Sequence, residues 1–447
     1  MLQIDPADGA VAAALLSRLG GGESGRQGEA ARVAAHLRDL GLLLESADSP
    51  PALPGVTAPL IRAMYRSLGW IQPLPTPAGT PFSVCVGGVR PSSTALGSTT
   101  TPNGMRVVSG CAPTLAEAAL RCIAEGVERH ALQFAPVHEE RLERAVSPAT
   151  AVALDQLLPP RWQKSEPPPG GAIARRWLPA DWSSDGARRL VPAAHLLLGY
   201  PTREQEAWPP ADTNGAACGA GVEEAACRAL LEVIERDAVG LWWHGRRPVR
   251  PLDEAHLADP WLQAASDWLW RHGRCLWFLD IAGDLGVPVV VAVSCDRTQA
   301  RLIIGTAAGV TSTLAARGAL AEHLLMLTNL RAVEQRMPEP GSEPSAATRM
   351  LRWHLRSCAR RQPHLFPDPT AAPPSARLRG GTLADLLEPV RAQGLCALFF
   401  QISGVEAPLA VVKCLVPGLA SHLRCPVARR VSPAEPPRDP DDDAFPY

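Results

Sequence analysis

Two stretches of this chain are near-copies of one another: AEAALRCIAEGVERH, residues 116 to 130, and EEAACRALLEVIERD, residues 223 to 237. On a helix, Glu117, Arg121, Glu125 and Glu128 fall at spacings of four, four and three, which makes one continuous stripe. Glu224, Arg228, Glu232 and Glu235 repeat it, bordered by Ala225, Ala226, Ala229, Leu230, Val233 and Ile234. One such stripe is ordinarily the solvated face of an amphipathic helix. Two with a common lead-in also fit a second arrangement, in which related helices face each other and gather four carboxylates. That gathering repels unless cations sit between the acids. Repetition of the lead-in together with the acids favours the second arrangement.

The rest of the chain narrows the class. Its 447 residues allow a large core, either as one big domain with appendages or as two to three domains. A formal net charge of −1 argues against a nucleic-acid partner held by bulk electrostatics. Lys164 and Lys413 are the only lysines, so phosphate contacts must come from arginine, backbone N–H groups or a bridging metal. The 11 cysteines are odd in number and scattered, without a Cys-x-x-Cys pair, which fits a reduced protein with no structural zinc. The N-terminal run MLQIDPADGAVAAALLSRLGG lacks the character of a secretion signal, and no stretch approaches membrane-spanning length. A soluble, cytoplasmic protein without a membrane partner is expected.

Residues 1–52 read as two short helices and a brief strand, half of a winged-helix unit or a plain helical hairpin. The prolines at 50, 51 and 54 mark a boundary. From about residue 82, strand-like runs (FSVCVGGV, MRVVSGC, CLWFLDI, VPVVVAVSCD, ARLIIGTAAGV, LCALFFQIS, LAVVKCLVPGL) alternate with helices. Pro113 and Thr114 cap the first acidic helix, and TLAARGALAEHLLMLTNLRAV reads as a third long helix. The expected class is α/β (mixed α+β), with one catalytic domain over 80–430 and a Pro-rich extended tail over 431–447.

TNGAACGAGVEEA turns through Asn214, Gly215 and Gly219 directly into the second acidic helix. A Gly-rich turn at a helix N-terminus suits an anion, and beside a carboxylate cluster it suits a nucleotide bridged to protein by magnesium. The run NGAACGAGVEEAACRALLEVIERDAVGLWW resembles the central signature of the YcaO family, and GCAPTLAEAALRCIAEGVERHAL its first acidic helix. GVPVVVAVSCD, GTAAGV and VVKCLVPGL resemble later segments in the family's order, so the resemblance covers most of residues 85 to 430.

The resemblance implies an ATP and Mg2+ site. Glu125, Glu128, Glu232 and Glu235 would be the metal-binding acids, and Asn214 and Glu224 would hold nucleotide. Arg317 would be a phosphate contact, and Glu322 a weaker one. It also implies ATP-dependent activation of backbone amides in a ribosomally made precursor peptide. A Cys, Ser or Thr side chain attacks the preceding carbonyl, the oxyanion is phosphorylated, and loss of phosphate leaves an azoline. The same fold also serves thioamide or amidine formation, and a non-catalytic scaffold or leader-peptide carrier is the rival from another class. A leader-binding or oxidase partner protein and a homodimer belong to the same set of expectations. Family cyclodehydratases commonly end in a Pro-rich tail at the active site, which points to Pro446 and Tyr447 as its catalytic end here, although the Pro-x-Pro alternation is incomplete. Two departures stand out: Ser109 replaces a lysine common before Gly110, and EHLLMLTN has no glutamine after the third helix's acid. His130, His244 and the scattered cysteines read as packing residues.

Overall fold

The computed structural model describes residues 63–64, 66–90, 107–143, 149–152, 157, 176–200, 211–335, 346–372, 377–404, 407 and 409–419. The expected N-terminal segment 1–52 and tail 431–447, with Pro446 and Tyr447, lie outside these residues. In chain order come β1 (Leu68–Leu74), β2 (Ser83–Val89), β3 (Val107–Ala112) and α1 (Leu115–Ala131). Short strands β4 (Trp177–Pro179), β5 (Trp182–Ser183) and β6 (Leu190–Pro192) precede β7 (Ala216–Gly219) and α2 (Val222–Gly245). Then follow β8 (Arg250–Pro251), α3 (Pro260–Arg271), β9 (Arg274–Asp280), β10 (Val289–Asp296), β11 (Ile303–Ala308) and α4 (Ser312–Gln335). The described chain closes with α5 (Ala346–Arg356), α6 (Leu383–Ala392), β12 (Leu398–Gln401) and β13 (Ala410–Leu415). The mixed α/β class is as the sequence implies, with β1, not expected from the sequence, added at the front.

The strands form antiparallel sheets ordered β1-β2-β3, β11-β10-β9-β8 and β5-β12-β13-β7, plus a β4-β6 pair. Each of the three larger sheets contributes a strand that feeds a long helix: β3 into α1, β7 into α2 and β11 into α4. The three joints are alike. The residue before each helix, Thr114, Gly221 or Thr311, accepts the N–H of Ala118, Ala225 or Ala315 at 3.0 Å. The inward face of each first turn and a half is a run of small buried residues: Ala118, Ala119 and Cys122; Ala225, Ala226 and Ala229; Ala315, Ala316 and Ala319.

Small residues are needed because helix and strand approach closely. A Cβ on Gly219 would stand 2.6 Å from the Ala225 nitrogen, and one on Gly309 would stand 2.7 Å from the Ala315 nitrogen. Helix backbone cannot yield there, so both positions demand glycine.

Each helix also packs on the next unit's strand. Helix α1 packs on β7 as well as β3, α2 on β11 as well as β7, and α4 on β3 as well as β11. The three units therefore close into a ring. Apolar clusters on either side bury the sheets, one of them around Trp242, Trp243, Val291 and Val412.

Candidate active site

Ring closure decides where the acids go. Glu125, Glu232 and Glu322 each stand ten residues after the first residue of their helix, Leu115, Val222 and Ser312. They are equivalent positions in the three units. Glu125 Oε2 accepts the Ser109 N–H of its own strand at 2.8 Å, and Glu322 Oε2 accepts the Thr306 N–H at 3.1 Å, both across sixteen residues.

A second set of acids spans the boundaries between units. Glu128 Oε1 accepts the Cys218 N–H at 2.8 Å, and Glu235 Oε2 accepts the Ala308 N–H at 3.2 Å. Glu235 Oε1 also accepts the Thr306 hydroxyl at 2.7 Å. The acids of α1 and α2 thus meet through the strand between them rather than as two helices face to face. At the corresponding place on α4 the residue is Leu325, so the third boundary carries no acid there. Arg121 stands at that boundary instead, within electrostatic reach of both Arg317 and Glu322.

Burial and mutual repulsion act on the cluster. Burial, with Glu232 and Glu125 close by, pushes Glu128 up to about 8 against the Cys218 hydrogen bond. Burial and the Glu235 charge raise Glu232 to about 7 although Arg236 opposes them. Burial and Glu235 raise Glu322 to about 8. Burial also raises Glu125, against Arg129 and the Ser109 N–H. Yet water still reaches these side chains, with exposures of 30% for Glu125, 24% for Glu232 and 9% for Glu235. The acid cluster is therefore partly open to solvent. Acids so placed ionise together only with compensating positive charge.

Part of that charge comes from Arg236, which sequence reading missed. It lies 3.3 Å from Glu232 and 3.4 Å from Glu235, and its Nε is buried without a partner. Burial alone would lower its pKa; Glu235, Glu232 and Glu322 outweigh burial and raise it. Its counterpart on α1 is Arg129, paired with Glu125 at the same four-residue spacing. The arginine ending each Glu-x-x-Glu-Arg was the available signal. Lys413 was also missed: it is fully buried on β13, and its Nζ donates to the Asp212 carbonyl and lies 3.8 Å from the Asp212 carboxylate.

The remaining candidates sit as follows. Asn214 is held by Asp212, whose carboxylate accepts from its backbone and side-chain nitrogens at 3.1 Å. Glu224 accepts the Ala220 N–H at 2.9 Å and pairs with Arg228. The Gly-rich turn therefore differs from an open anion cradle, because the N–H groups of Cys218 and Ala220 are taken by Glu128 and Glu224. Arg317 donates to Asp259 at 2.7 Å and lies over the Trp261 ring at 5.2 Å. His130 bonds the Arg90 carbonyl at 3.0 Å, in keeping with a packing role.

Residues 109–420 match the family model described as YcaO cyclodehydratase, ATP- and Mg2+-binding. The chain belongs to the YcaO family. Among solved structures, this YcaO chain is similar to a heterocyclase in complex with substrate and cofactor. The TM-score there is 0.67 at 22% identity, over 83% of this chain and 54% of that one. It is also similar to YcaO from Methanopyrus kandleri bound with AMPPCP and Mg2+. That match has a TM-score of 0.58 at 20% identity, over 86% of this chain and 94% of the other. An uncharacterised protein of Methanothermobacter thermautotrophicus is 28% identical over 218 residues, 46% of this chain and 55% of the relative. The chain thus spans about half the length of that relative and of the heterocyclase. At these identities the solved structures establish a common fold. Among the described residues no helix is long and apolar enough to cross a membrane.

Proposed function

We propose that the ring binds ATP with Mg2+ and uses it to activate backbone amides of a ribosomally made peptide, with azoline formation by cyclodehydration as the reaction. The observation that carries this reading is the charge distribution around the ring. Two boundaries hold Glu128 and Glu235 beside the equivalent acids Glu125, Glu232 and Glu322, while the third holds Arg121. Cations fit the first two, and phosphate oxygens fit the third.

The residues fit magnesium by chemistry, since hard carboxylate oxygens are its usual ligands. As the side chains stand, no three His, Cys, Asp or Glu groups among the described residues converge as a metal site. The carboxylates are turned onto N–H groups and arginines, and holding a cation means exchanging some of those partners. In that exchange Glu125, Glu128, Glu232 and Glu235 serve as metal ligands with Glu322 beside them. Asn214, Glu224 and Arg317 serve the nucleotide. Bound magnesium would neutralise the charge between phosphates and acids. Arg236, 3.3 Å from Glu232 and 3.4 Å from Glu235, opposes the rise at Glu232 and ties the two side chains together.

The peptide's own Cys, Ser or Thr attacks the preceding carbonyl, and the amide oxygen leaves as phosphate after taking the γ-phosphoryl group of ATP. Segment 1–52 grips the leader peptide, and Pro446 and Tyr447 bring the tail to the reacting amide. The test is peptide mass after incubation with ATP and Mg2+. Ring closure lowers the mass by one water per ring, sulfur exchange raises it, and an unchanged peptide with no ATP consumed supports a scaffold. Truncation after Val431 should abolish modification with ATP binding retained.

A further inference from the structure

Strand β9 has an open edge. Its inner side pairs with β10 along its whole length, from Arg274 opposite Asp296 to Asp280 opposite Val290. Its outer side pairs with β8 at Asp280 and Leu279 alone, and Leu252 adds a last N–H to the Phe278 carbonyl at 3.0 Å. The chain then turns away into a short 3-10 helix, Glu254–Leu257. Since the Phe278 carbonyl points outward, so do the backbone groups of Leu276, two residues away. Among the described residues no strand lies alongside Leu276.

This edge stands in a cleft of about 1150 Å3 whose walls include Leu257, Leu262, Leu276 and Phe278. Exposed edges are normally blunted by proline, charge or brevity. Strand β8 is blunted in this way, being two residues long and reading Arg250–Pro251, whereas Cys275, Leu276 and Trp277 on β9 carry neither device. The lining holds four carboxylates, Asp253, Glu254, Asp267 and Asp280, against two arginines, Arg250 and Arg377.

We infer that this cleft binds an extended peptide bearing basic side chains, which adds to β9 as the strand that β8 begins and leaves off at Leu252. The backbone ladder supplies affinity, the apolar wall takes every second side chain, and the acidic rim selects lysine or arginine on the others. The inference deepens the peptide-modifying reading, in that the cleft holds a substrate segment on a lining that includes none of the ring's acids. Its test needs no ATP, so the two readings fail separately.

The probe is fluorescein-labelled Lys-Val-Lys-Val-Lys, followed by fluorescence anisotropy with the full chain. Saturable binding is expected, weakened ~10-fold or more in the all-glutamate analogue and in the double variant Glu254→Gln/Asp267→Asn. N-methylation of both valines should affect binding oppositely to N-methylation of the lysines, because only alternate peptide N–H groups face β9. Leu276→Pro removes a single outward N–H at a position where an edge strand tolerates proline, and should weaken binding by ~10-fold or more. The peptide-side methylation keeps the test sound if that variant fails to fold. Absent saturation, equal effects of the two methylation patterns, or wild-type affinity in Leu276→Pro overturns the inference. A homodimer that Leu276→Pro dissociates overturns it too, by giving the edge to self-association.

Discussion

Glu128 on α1 accepts the N–H of Cys218 on β7 at 2.8 Å, a bond between residues ninety positions apart that crosses the boundary between two strand–helix units. The same bond recurs at the next boundary, from Ala308 to Glu235 at 3.2 Å. These acids both hold the ring together and belong to a cluster of like charges. Their two roles conflict in the metal-free protein, and the first expectation follows from that conflict.

Glu128, Glu232 and Glu322 are pushed to about 8, 7 and 8, from 4.5. Between those limits the fold keeps protons that the unfolded chain has released, so stability is full below about 4.5 and falls as pH rises through 7 to 8. His323 and His364, held down to about 3 by burial, act in the opposite sense only below 6.5. Thermal melts of metal-free protein should therefore drop between pH 6.5 and 8.5, and Mg2+ with ATP should raise the melting point more at 8.5. Glu128→Gln should flatten the slope and lose the response to Mg2+ and ATP. A melting point that rises over this range would mean that the acids stay ionised without metal.

Glu322 is the third-unit equivalent of Glu125 and Glu232, with the same bond to its own strand as Glu125. Glu322→Gln should depress ATP turnover ~100-fold, and Glu125→Gln and Glu232→Gln should do the same, because each removes a carboxylate that would hold the cation. Turnover within twofold of wild type would leave α4 as a structural member of the ring.

Thr306 donates its hydroxyl to Glu235 at 2.7 Å and is itself buried. Thr306→Val keeps shape and removes that donor. A hydrogen bond to a charged group contributes ~1.5–3 kcal/mol. The magnesium concentration for half-maximal ATP turnover should rise ~10-fold as Glu235 loses its fixed orientation. An unchanged magnesium requirement would show that the Ala308 N–H and Arg236 position Glu235 without it.

Gly219 and Gly221 flank one residue yet differ in kind. A Cβ at Gly219 meets the Ala225 nitrogen at 2.6 Å, and one at Gly221 meets nothing within 4 Å. Gly219→Ala should abolish soluble folded protein or cost several kcal/mol, since helix backbone must shift. Gly221→Ala should cost ~1 kcal/mol or less, as an ordinary helix-start substitution. Urea unfolding of the two variants checks the contrast, and equal destabilisation would contradict the close approach of strand and helix.

Much of this site is written locally. The Glu-x-x-Glu-Arg stripes, the Thr114 cap, the β-branched run of β10 and the alanine faces of the helices all follow from residues within four positions of each other, where helix and strand periods act directly. The sequence by itself determined the two acidic helices, the strand–helix alternation and the family resemblance. Tertiary structure alone decided that α4 is a third copy, because its shared features are a backbone joint and one acid without the Glu-Ala-Ala lead-in or a second glutamate. It also decided that the Gly-rich turn spends its N–H groups on Glu128 and Glu224, and that Arg236 is shared by two acids. The open edge of β9 belongs to the same class of facts. Each depends on which backbone donors are left over after strands far apart in sequence have paired, and pairing partners leave no mark on the residues between them.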